Sequence, residues 1–296
     1  MSFKSGFVSL IGHPNVGKST LLNTLIEEKV AIVSSKPQTT RNVIRGIYTD
    51  SNKQIVFLDT PGIHKSHNKL GNYMNSSAKS SYHNVEGVIL VVDAKNEKIS
   101  DYSPLVEDIL KTNIPLILVL NKIDLMDEEE IKSSISEWKQ AFNFKDVIEL
   151  SAKKKTNCKK LLSSIEEILP EGPKYYPDDM ISDNPESFLI SEIVREKIFL
   201  MTRDEIPHSV AVTTTSMKQN KNILEVGCTI IVERDSQKGI IIGSKGSMIK
   251  RIGTSARMEL ENIFQTKVRL ETFVRVEKDW RNSNNYLREF GYKNNE

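Results

Sequence analysis

The stretch that decides the fold of the N-terminal half is GHPNVGKS, residues 12–19. It matches the pattern G-x-x-x-x-G-K-[ST], in which glycines let a loop wrap closely around phosphate groups while backbone N–H groups contact their oxygens. An apolar run, 7–11, precedes it and a helix-like stretch follows it. The sequence therefore predicts a strand, a phosphate-binding loop and a helix N-terminus in succession. The alternative interpretation is an ordinary tight turn between a strand and a helix.

Short apolar runs alternate with helix-like stretches around this motif, through residues 1–170. The apolar runs are 7–11, 55–58, 88–92 and 116–120. The helix-like stretches are 18–28, 70–83, 101–112, 128–142 and 157–169. Runs that are apolar on both faces are typical of parallel strands covered by helices, so we expect an α/β fold with a doubly wound, mostly parallel sheet. No helix pattern separates 42–50 from 54–58, which predicts one antiparallel strand pair.

Three further motifs follow predicted strands: DTPG at 59–62, NKID at 121–124 and SAK at 151–153. A carboxylate such as Asp59 at a strand end can hold Mg²⁺ through water, and the Gly62 N–H can contact a γ-phosphate. Asp124 has two oxygens that can accept the N1–H and 2-amino groups of guanine together, a donor pair that adenine does not present. Taken alone, DTPG also fits an ordinary turn, and SAK is uninformative.

Together, in this order, the four motifs resemble those of translation-factor-type GTPases. The resemblance implies GTP or GDP with Mg²⁺ as ligands, and it assigns 38–42 to the switch element, where Thr40, with Thr39 as the alternative, would cap Mg²⁺. The predicted metal ligands are Ser19, Thr40 and Asp59, and the predicted catalytic residues are Lys18, Thr40 and Gly62. The predicted GTP-binding residues are Gly12, His13, Pro14, Asn15, Val16, Gly17, Lys18, Ser19, Thr20, Asp59, Thr60, Pro61, Gly62, Asn121, Lys122, Asp124, Ser151, Ala152 and Lys153.

The residue after DTPG departs from the Ras-like pattern of this superfamily. Ile63 stands where Ras-like members have a glutamine that orients the attacking water, and an aliphatic side chain cannot do so. We therefore predict slow intrinsic hydrolysis, with the water positioned by backbone groups or by a group supplied on assembly. His64 is a further candidate, and a solvated loop histidine is the alternative. In some relatives with the GxPNxGKS form the loop asparagine helps to bind K⁺, which implies the same role for Asn15.

The βα pattern stops at 169–187, which holds four of the ten prolines and five acidic residues. Helices cannot run through that proline spacing. Residues 1–170 are therefore predicted as one domain, 171–187 as an interdomain linker and 188–296 as a second, smaller domain. The predicted α+β elements beyond the linker are a helix at 186–202, strands at 209–216 and 222–233, helices at 236–242 and 246–264, a strand at 267–277 and a C-terminal helix.

A G-x-x-G turn joins an apolar helix end to an amphipathic helix in IIIGSKGSMIKRIG, residues 240–253. With the α-β-β-α-α-β order it resembles a type II KH domain, which implies binding of about four unpaired nucleotides of RNA. The stretch 236–258 holds five basic residues and no acid, although 171–296 balances 19 Lys+Arg against 19 Asp+Glu. A phosphate footprint is the favoured interpretation, and a solvated helix face is the alternative. The predicted RNA-binding residues are Lys238, Ile242, Gly243, Ser244, Lys245, Gly246, Lys250 and Arg251, with Ile231 and Ile240 in the groove floor.

The composition of the 296 residues is that of an ordinary globular protein, with 38% hydrophobic residues, 27% charged residues and a net charge of +2. This balance excludes collagen-like, mucin-like and disordered classes. The two cysteines, Cys158 and Cys228, form no metal or disulfide pattern, which indicates a reducing compartment. No apolar run approaches the roughly 20 residues of a membrane helix. These features predict a cytoplasmic protein.

The combination of both domains resembles the Era family of bacterial GTPases over nearly the whole chain. The resemblance implies an assembly factor that hydrolyses GTP and binds the 3′ end of 16S ribosomal RNA and the small (30S) ribosomal subunit in a nucleotide-dependent way. Some members associate peripherally with the cytoplasmic side of the cell membrane, and we expect a monomer. The alternatives are a GTPase of membrane-linked or tRNA-modification role without rRNA binding, and an RNA-binding protein whose G domain is a structural relic.

Overall fold

The computed structural model describes residues 2–203 and 206–292. The chain separates into two compact units. The first contains the chain up to Ala31 together with Thr40–Lys65 and Met74–Asp183, and the second contains Ile32–Thr39, Ser66–Tyr73 and the chain from Asn184 onward. None of the helices within the described ranges is both long enough and apolar enough to cross a membrane.

The first unit is built on a twisted sheet whose strands are β1 (Lys4–Ile11), β2 (Ile44–Thr49), β3 (Lys53–Asp59), β4 (Gly87–Asp93), β5 (Leu116–Asn121) and β6 (Asp146–Glu149). Within residues 2–183 their order is β2-β3-β1-β4-β5-β6. Every pairing is parallel except that of β2 with β3, which is antiparallel with Ile47 opposite Val56. The predicted α/β fold with one antiparallel strand pair is confirmed.

Helices connect these strands and cover the sheet. They are α1 (Lys18–Ile26), α2 (Lys69–Ser80), α3 (Ile99–Leu110), α4 (Glu128–Ala141) and α5 (Cys158–Ile168). All residues of β4 and β5 are buried, as expected for central parallel strands packed on both faces. Because the strands are parallel, the loops that follow β1, β3, β4 and β5 meet at one edge of the sheet, and the sequence motifs lie in these loops.

The segment 171–183, predicted as part of a linker, packs on the first unit. The Gln54 side chain is fully buried: its carbonyl oxygen accepts from the N–H groups of Tyr175 and Tyr176, at 2.7 and 3.0 Å, and its amide donates to the Tyr176 carbonyl at 2.9 Å. The N–H of Ile47, on edge strand β2, donates to the Ile181 carbonyl at 2.9 Å. The segment thus satisfies polar groups that an exposed sheet edge would leave unpaired.

The second unit contains α6 (Glu186–Met201), α7 (Ile206–Ser209), β7 (Ala211–Asn220), β8 (Ile223–Val232), α8 (Asp235–Ile242), α9 (Ser247–Phe264), β9 (Lys267–Val276) and α10 (Asn284–Glu289). Its sheet has the order β7-β8-β9, with β7 antiparallel and β9 parallel to β8. Fully buried apolar residues of α6, β8 and α9, among them Ile198, Ile230 and Leu260, pack in one cluster. The predicted α-β-β-α-α-β order is therefore present.

The stretch Ile32–Thr39 is held by α6 within the second unit. The Val33 N–H donates to the Glu196 carboxylate at 3.0 Å, and the Arg195 guanidinium donates to the Thr39 carbonyl. Arg195 is almost completely buried, and it also pairs with Glu192 one turn earlier on α6. Contacts to backbone groups therefore fix this stretch, which carries no strand or helix of its own.

Candidate functional site

The loop between β1 and α1 is a tight turn in which particular positions require glycine or a residue that tolerates positive φ. Gly12 has φ 153°, and a Cβ atom at this position would lie 2.2 Å from the carbonyl oxygen of Val91 on the neighbouring strand β4. Asn15 adopts the left-handed conformation, with φ 66°, and Gly17 precedes the first turn of α1. The turn places the free backbone N–H groups of the α1 N-terminus beside the loop, as anion binding requires.

Lys18 is buried in this loop. Its Nζ donates to the carbonyl oxygens of Gly12 and His13, at 3.0 and 2.9 Å. Burial lowers the pKa of Lys18 to about 8, against the opposing attraction of Asp59 and Glu97. The ammonium therefore lacks full compensation of its charge, and the negative charge of a phosphate group would supply it.

Ser19, Thr40 and Asp59 converge next to Lys18. The Ser19 hydroxyl donates to Asp59 Oδ2 at 2.6 Å and lies 2.9 Å from the Thr40 hydroxyl, which donates to the same carboxylate oxygen at 3.4 Å. Asp59 is fully buried, and its Oδ1 has no hydrogen-bond partner among the described residues. Burial raises the pKa of Asp59 to about 6, although Lys18, Ser19 and Thr40 lower it. Two hydroxyls and a carboxylate with an unsatisfied oxygen fit a hard divalent cation such as Mg²⁺.

The DTPG segment lies directly against the phosphate-binding loop. The Thr60 hydroxyl donates to the Leu10 carbonyl at 2.7 Å, which holds the segment at the end of β1. A Cβ atom at Gly62 would lie 2.6 Å from the backbone nitrogen of Pro14, so the two loops touch through backbone atoms. Gly62 and Pro61 are buried at this contact, and the Gly62 N–H is thereby placed beside the loop that would surround the phosphates.

Ile63 and His64, the two residues after DTPG, lie in apolar and polar surroundings respectively. Ile63 packs against the apolar cluster formed by β4, α3 and β5. His64 Nδ1 donates to the Gly62 carbonyl at 2.8 Å, and Asn75 of α2 bonds to both backbone groups of His64. Because a carbonyl oxygen only accepts, the His64 proton on Nδ1 is fixed by this bond. His64 is therefore held against the DTPG backbone.

Asn121, at the end of β5, forms hydrogen bonds to backbone groups of three loops. Its Nδ2 donates to the Val16 carbonyl at 2.8 Å, and its Oδ1 accepts from the N–H groups of Lys122 and Ala152, at 2.8 and 3.0 Å. The side chain is buried. Asn121 thus fixes the NKID and SAK loops relative to the phosphate-binding loop, a role within the protein that adds to the predicted nucleotide contact.

Asp124 lies in a short 3₁₀ turn, Ile123–Leu125, and its side chain is exposed. Its Oδ1 accepts from the Ser151 hydroxyl at 2.6 Å. This bond orients the exposed carboxylate, whose two oxygens are both acceptors when it is ionised. Ser151 and Ala152 are buried in the SAK loop, whereas Lys153 is exposed. The orienting role of Ser151 is a contact that the sequence motif alone did not predict.

Asp93 belongs to none of the sequence motifs, yet it contacts a residue of the predicted nucleotide site. It ends β4, and its Oδ2 accepts from Lys122 Nζ at 2.7 Å; the same Nζ donates to the Asn15 carbonyl at 2.7 Å. Burial opposes ionisation, but hydrogen bonds from Lys122 and Asn96 hold the pKa of Asp93 below its ordinary value. Its position after an apolar strand, VILVVD at 88–93, is the signal that could have found it.

The G-x-x-G turn in the second unit joins α8 to α9. Gly243 has φ 71°, and a Cβ atom there would lie 2.7 Å from the Cβ of Met248, so a side chain has no room. Ser244–Gly246 form one 3₁₀ turn in which Lys245 has φ 49°. The turn projects at the start of α9, with Ser244 and Lys245 exposed. Such an exposed turn lets a nucleic-acid backbone approach closely.

Exposed basic side chains surround this turn. Lys245, Lys250 and Arg251 are exposed, and Lys238 and Ile242 are half-buried. Arg257 forms an ion pair with Glu261 at 3.0 Å, which neutralises it locally. Ile240 is 51% exposed, whereas Ile231 is completely buried in β8, between its partner strands. The expectation that Ile231 forms part of a groove floor is therefore wrong, because no base can reach it.

The first unit is thus a P-loop domain with the motif set of guanine-nucleotide-binding proteins, and the second has the order of a type II KH domain. A family model described as "50S ribosome-binding GTPase" matches residues 7–122, and a "KH domain" model matches residues 205–281. GTPase Era of Clostridium kluyveri is 47% identical over 291 residues, which cover 98% of this chain and 99% of that protein. The chain belongs to the Era family of GTPases, as its motifs predict.

Two solved structures are similar over almost the whole chain. One is a variant of Aquifex aeolicus Era bound to GDP·AlF₄⁻, and the other is Era in complex with MgGDPNP and nucleotides 1506–1542 of 16S ribosomal RNA. Each has a TM-score of 0.95 and 40% sequence identity, and each match covers 99% of this chain and 100% of the other. The order of the elements described above is therefore that of Era.

Proposed function

We propose that this protein hydrolyses GTP with Mg²⁺ at the edge of the first unit's sheet and binds the 3′ end of 16S ribosomal RNA through its KH domain during assembly of the small (30S) ribosomal subunit. The observation that carries the nucleotide site is the cluster of half-buried Ser19 with buried Thr40 and Asp59, in which Asp59 Oδ1 has no hydrogen-bond partner within residues 2–203 and 206–292. The buried ammonium of Lys18 belongs to the adjacent loop. Such a cluster is costly in a protein that binds no cation and no phosphate.

In this proposal the phosphate groups lie against the backbone amides of the turn at 12–17 and of the α1 N-terminus. Lys18 contacts the β- and γ-phosphates, and the Gly62 N–H contacts the γ-phosphate. Ser19 and Thr40 hold Mg²⁺ together with Asp59, which acts directly or through water. A Mg²⁺ ion held there would supply positive charge opposite the negative charge that develops on the phosphate oxygens.

Asp124 selects guanine, because its carboxylate accepts two parallel hydrogen bonds while Ser151 holds it in place. Two neighbouring residues also hold this loop in place. Lys122 Nζ donates to the Asp93 carboxylate, and Asn121 Nδ2 donates to the Val16 carbonyl. A base that lacks the donor pair would leave the carboxylate unpaired, which lowers affinity by orders of magnitude.

We further propose that intrinsic hydrolysis is slow, since Ile63 packs against apolar side chains and offers no group to the attacking water. His64, backbone groups or a group supplied on assembly would then orient the water. K⁺ bound near Asn15 would support hydrolysis, and turnover should be faster in potassium than in sodium salts. Equal turnover in the two salts would remove the potassium part of the proposal.

The similarity to an Era structure that contains 16S ribosomal RNA supports the RNA part of the proposal. In this chain the exposed side chains of Lys245, Lys250 and Arg251 provide positive charge around the G-x-x-G turn. Contacts of this kind with the sugar-phosphate backbone position RNA, and unpaired bases supply specificity. Peripheral membrane association and a monomeric state, both implied by the family resemblance, stay predictions that liposome co-sedimentation and light scattering would test.

Crosslinking of the protein to RNA in cell lysate, followed by sequencing, tests this function. We expect recovery of the 3′ end of 16S ribosomal RNA, with a higher yield in the presence of a GTP analogue than of GDP. Lys245→Glu should reduce the yield at least about tenfold, because it reverses a phosphate contact. Lys267→Glu, an equal charge change at an exposed position on β9, is the matched control. Recovery of other RNA alone, or equal loss in both variants, would contradict the proposal.

A further inference from the structure

Three side chains form a cluster behind the phosphate-binding loop: His13, Glu97 and Tyr102. The rings of His13 and Tyr102 are stacked, with centroids 4.1 Å apart. His13 Nδ1 donates to Glu97 Oε1 at 3.0 Å, and the Tyr102 hydroxyl donates to Glu97 Oε2. Glu97 and Tyr102 belong to the loop and helix that follow β4, and none of the nucleotide-binding motifs includes them.

The cluster fixes one peptide group of the phosphate-binding loop. The His13 N–H donates to the Tyr102 hydroxyl oxygen at 3.3 Å, and the Gly12 carbonyl, which belongs to the same peptide, accepts from Lys18 Nζ at 3.0 Å. The N–H and the carbonyl oxygen of this peptide therefore each have a hydrogen-bond partner, one on either side of the peptide. A rotation of the peptide would break both bonds and leave buried groups without partners.

Tyr102 and Glu97 are themselves held rigidly. Tyr102 is completely buried, and its ring contacts Trp138 of α4 edge-on, with centroids 5.7 Å apart. Burial, reinforced by the Glu97 charge, raises the pKa of Tyr102 far above its ordinary value, so the hydroxyl keeps the proton that it donates. Glu97 Oε2 also accepts from the Asp93 N–H at 3.1 Å, which ties the carboxylate to the end of β4.

We propose that Tyr102 and Glu97 are positioning residues of the nucleotide site: they hold the Gly12–His13 peptide in the orientation in which its carbonyl faces Lys18 and the remaining loop amides face the phosphates. This inference rests on the proposed nucleotide site. In this proposal the peptide has the same orientation with bound substrate and in the transition state. Loss of the support therefore weakens nucleotide binding uniformly, which raises KM and leaves kcat unchanged.

The test compares Tyr102→Phe with Tyr82→Phe in the full chain. Tyr82 is also buried, and its hydroxyl also donates to a carboxylate, Asp108, at 2.6 Å. Steady-state GTP hydrolysis with Mg²⁺, calorimetric Kd for GDP and thermal unfolding are measured for each. For Tyr102→Phe we expect KM and the Kd for GDP to rise about fivefold, the loss of one hydrogen bond, with kcat within about twofold of the wild type. Tyr82→Phe should lower Tm comparably and leave KM and Kd unchanged.

A second pair of variants tests the carboxylate. Glu97→Ala should raise KM by at least as much as Tyr102→Phe, and Glu97→Gln, which keeps an acceptor oxygen for the tyrosine, should restore most of the loss. Equal changes in KM for the two tyrosine variants, a loss in kcat at constant KM, or no recovery in Glu97→Gln would overturn the inference. Failure of the wild type and of Tyr82→Phe to bind GDP or GTP would instead refute the nucleotide site itself.

Discussion

The burial and the hydrogen bonding of Asp59 are together unfavourable in a protein without ligands. It is fully buried, one of its oxygens accepts from two hydroxyls, and the other oxygen accepts nothing among the described residues. A buried carboxylate in this state destabilises the fold, and a cation that shares its charge removes the penalty. A loss of stability in the ligand-free protein is what we expect of a residue that binds a cation, the role proposed for Asp59.

The first prediction concerns Asp59→Asn. Burial raises the pKa of Asp59 to about 6 from 3.8, so the folded protein holds this proton more tightly than the unfolded chain. The contribution of Asp59 to the free energy of unfolding of the nucleotide-free wild type should therefore fall as pH rises from about 4 to 7, by up to about 3 kcal/mol. Asp59→Asn should lack this fall.

Denaturant unfolding in the presence of a chelator, at pH 4 and at pH 7, measures the effect. We expect Asp59→Asn to be more stable than the wild type at pH 7 and equal to it at pH 4. The same variant should lose at least about a hundredfold in Mg²⁺-dependent GTP turnover, because a metal ligand has lost its charge. A variant that is less stable than the wild type at pH 7 would show that the carboxylate stabilises the fold.

The second prediction concerns Asp124→Asn, which exchanges one of two acceptors for a donor. Xanthine carries a carbonyl oxygen where guanine carries the 2-amino group, so its edge matches an amide. We expect the affinity for GDP to fall at least about a hundredfold and that for XDP to rise, with the Ser151 hydroxyl still able to orient the side chain. Competition binding with labelled GDP measures both. Unchanged preference for GDP would place the base elsewhere.

At the scale of elements, the site is a consequence of parallel strands. The turn at 12–17 follows β1, Asp59 ends β3, Asp93 ends β4 and Asn121 ends β5. Since carboxyl ends of parallel strands meet at one edge, residues distant in sequence come within hydrogen-bond distance there. The order of apolar runs and motifs was sufficient to predict that each motif follows a strand of a mostly parallel sheet. The individual bonds that join the loops, such as that from Asn121 to Val16, were not predictable, because they depend on strand order within the sheet.

The segment 171–183 has the composition of a linker and also packs on the first unit. Its prolines and acidic residues are typical of a linker, yet through Asp183 it belongs to the first unit. Arg45 of β2 pairs with Asp183 at 2.7 Å, and buried Gln54 bonds to two successive tyrosines. A chain without helix or strand pattern can still be fixed when it satisfies backbone groups of an edge strand.

The third prediction concerns Gln54→Ala. The substitution removes the acceptor of the Tyr175 and Tyr176 N–H groups and should cost about 1–3 kcal/mol of local stability. We expect hydrogen exchange at these two amides to accelerate about tenfold or more. Gln140→Ala, which removes an exposed amide bonded to Ser136 at 3.3 Å, is the control and should change neither. Protection that is unaffected in Gln54→Ala would show that other contacts hold the segment.

At the scale of the whole molecule, each unit has its own apolar core and carries its own ligand chemistry. In the first, Lys18 and Asp59 are buried charged residues, and we propose that they bind phosphate and metal. In the second, exposed basic residues gather at one turn. Local concentration of charge, and not the total, therefore indicates the partners of this protein.

The fourth prediction is that GTP and RNA tighten each other's binding. If the GTP-bound state favours RNA engagement, thermodynamic linkage requires the same factor in both directions, typically about 5–150-fold. Fluorescence titration with a 16S 3′-end oligonucleotide, with a GTP analogue or GDP present, measures one direction, and nucleotide titration with and without RNA measures the other. Lys245→Glu should abolish both effects together. Independent affinities would show that the two sites act separately.

The amino-acid sequence by itself determined the α/β class, the antiparallel strand pair, the KH-type order and the identity of the motif residues, because periodicity and motif spacing are local properties of the chain. Only the tertiary structure decided that one Asp59 oxygen has no partner in the part of the chain that the structure describes, that Ile231 is inaccessible, and that 171–183 packs on a sheet edge. It also decided that Tyr102, bonded to Glu97, contacts the phosphate-binding loop. These facts depend on which groups form hydrogen bonds or exclude water from one another. The groups are far apart along the chain, so a local sequence pattern cannot show that they meet.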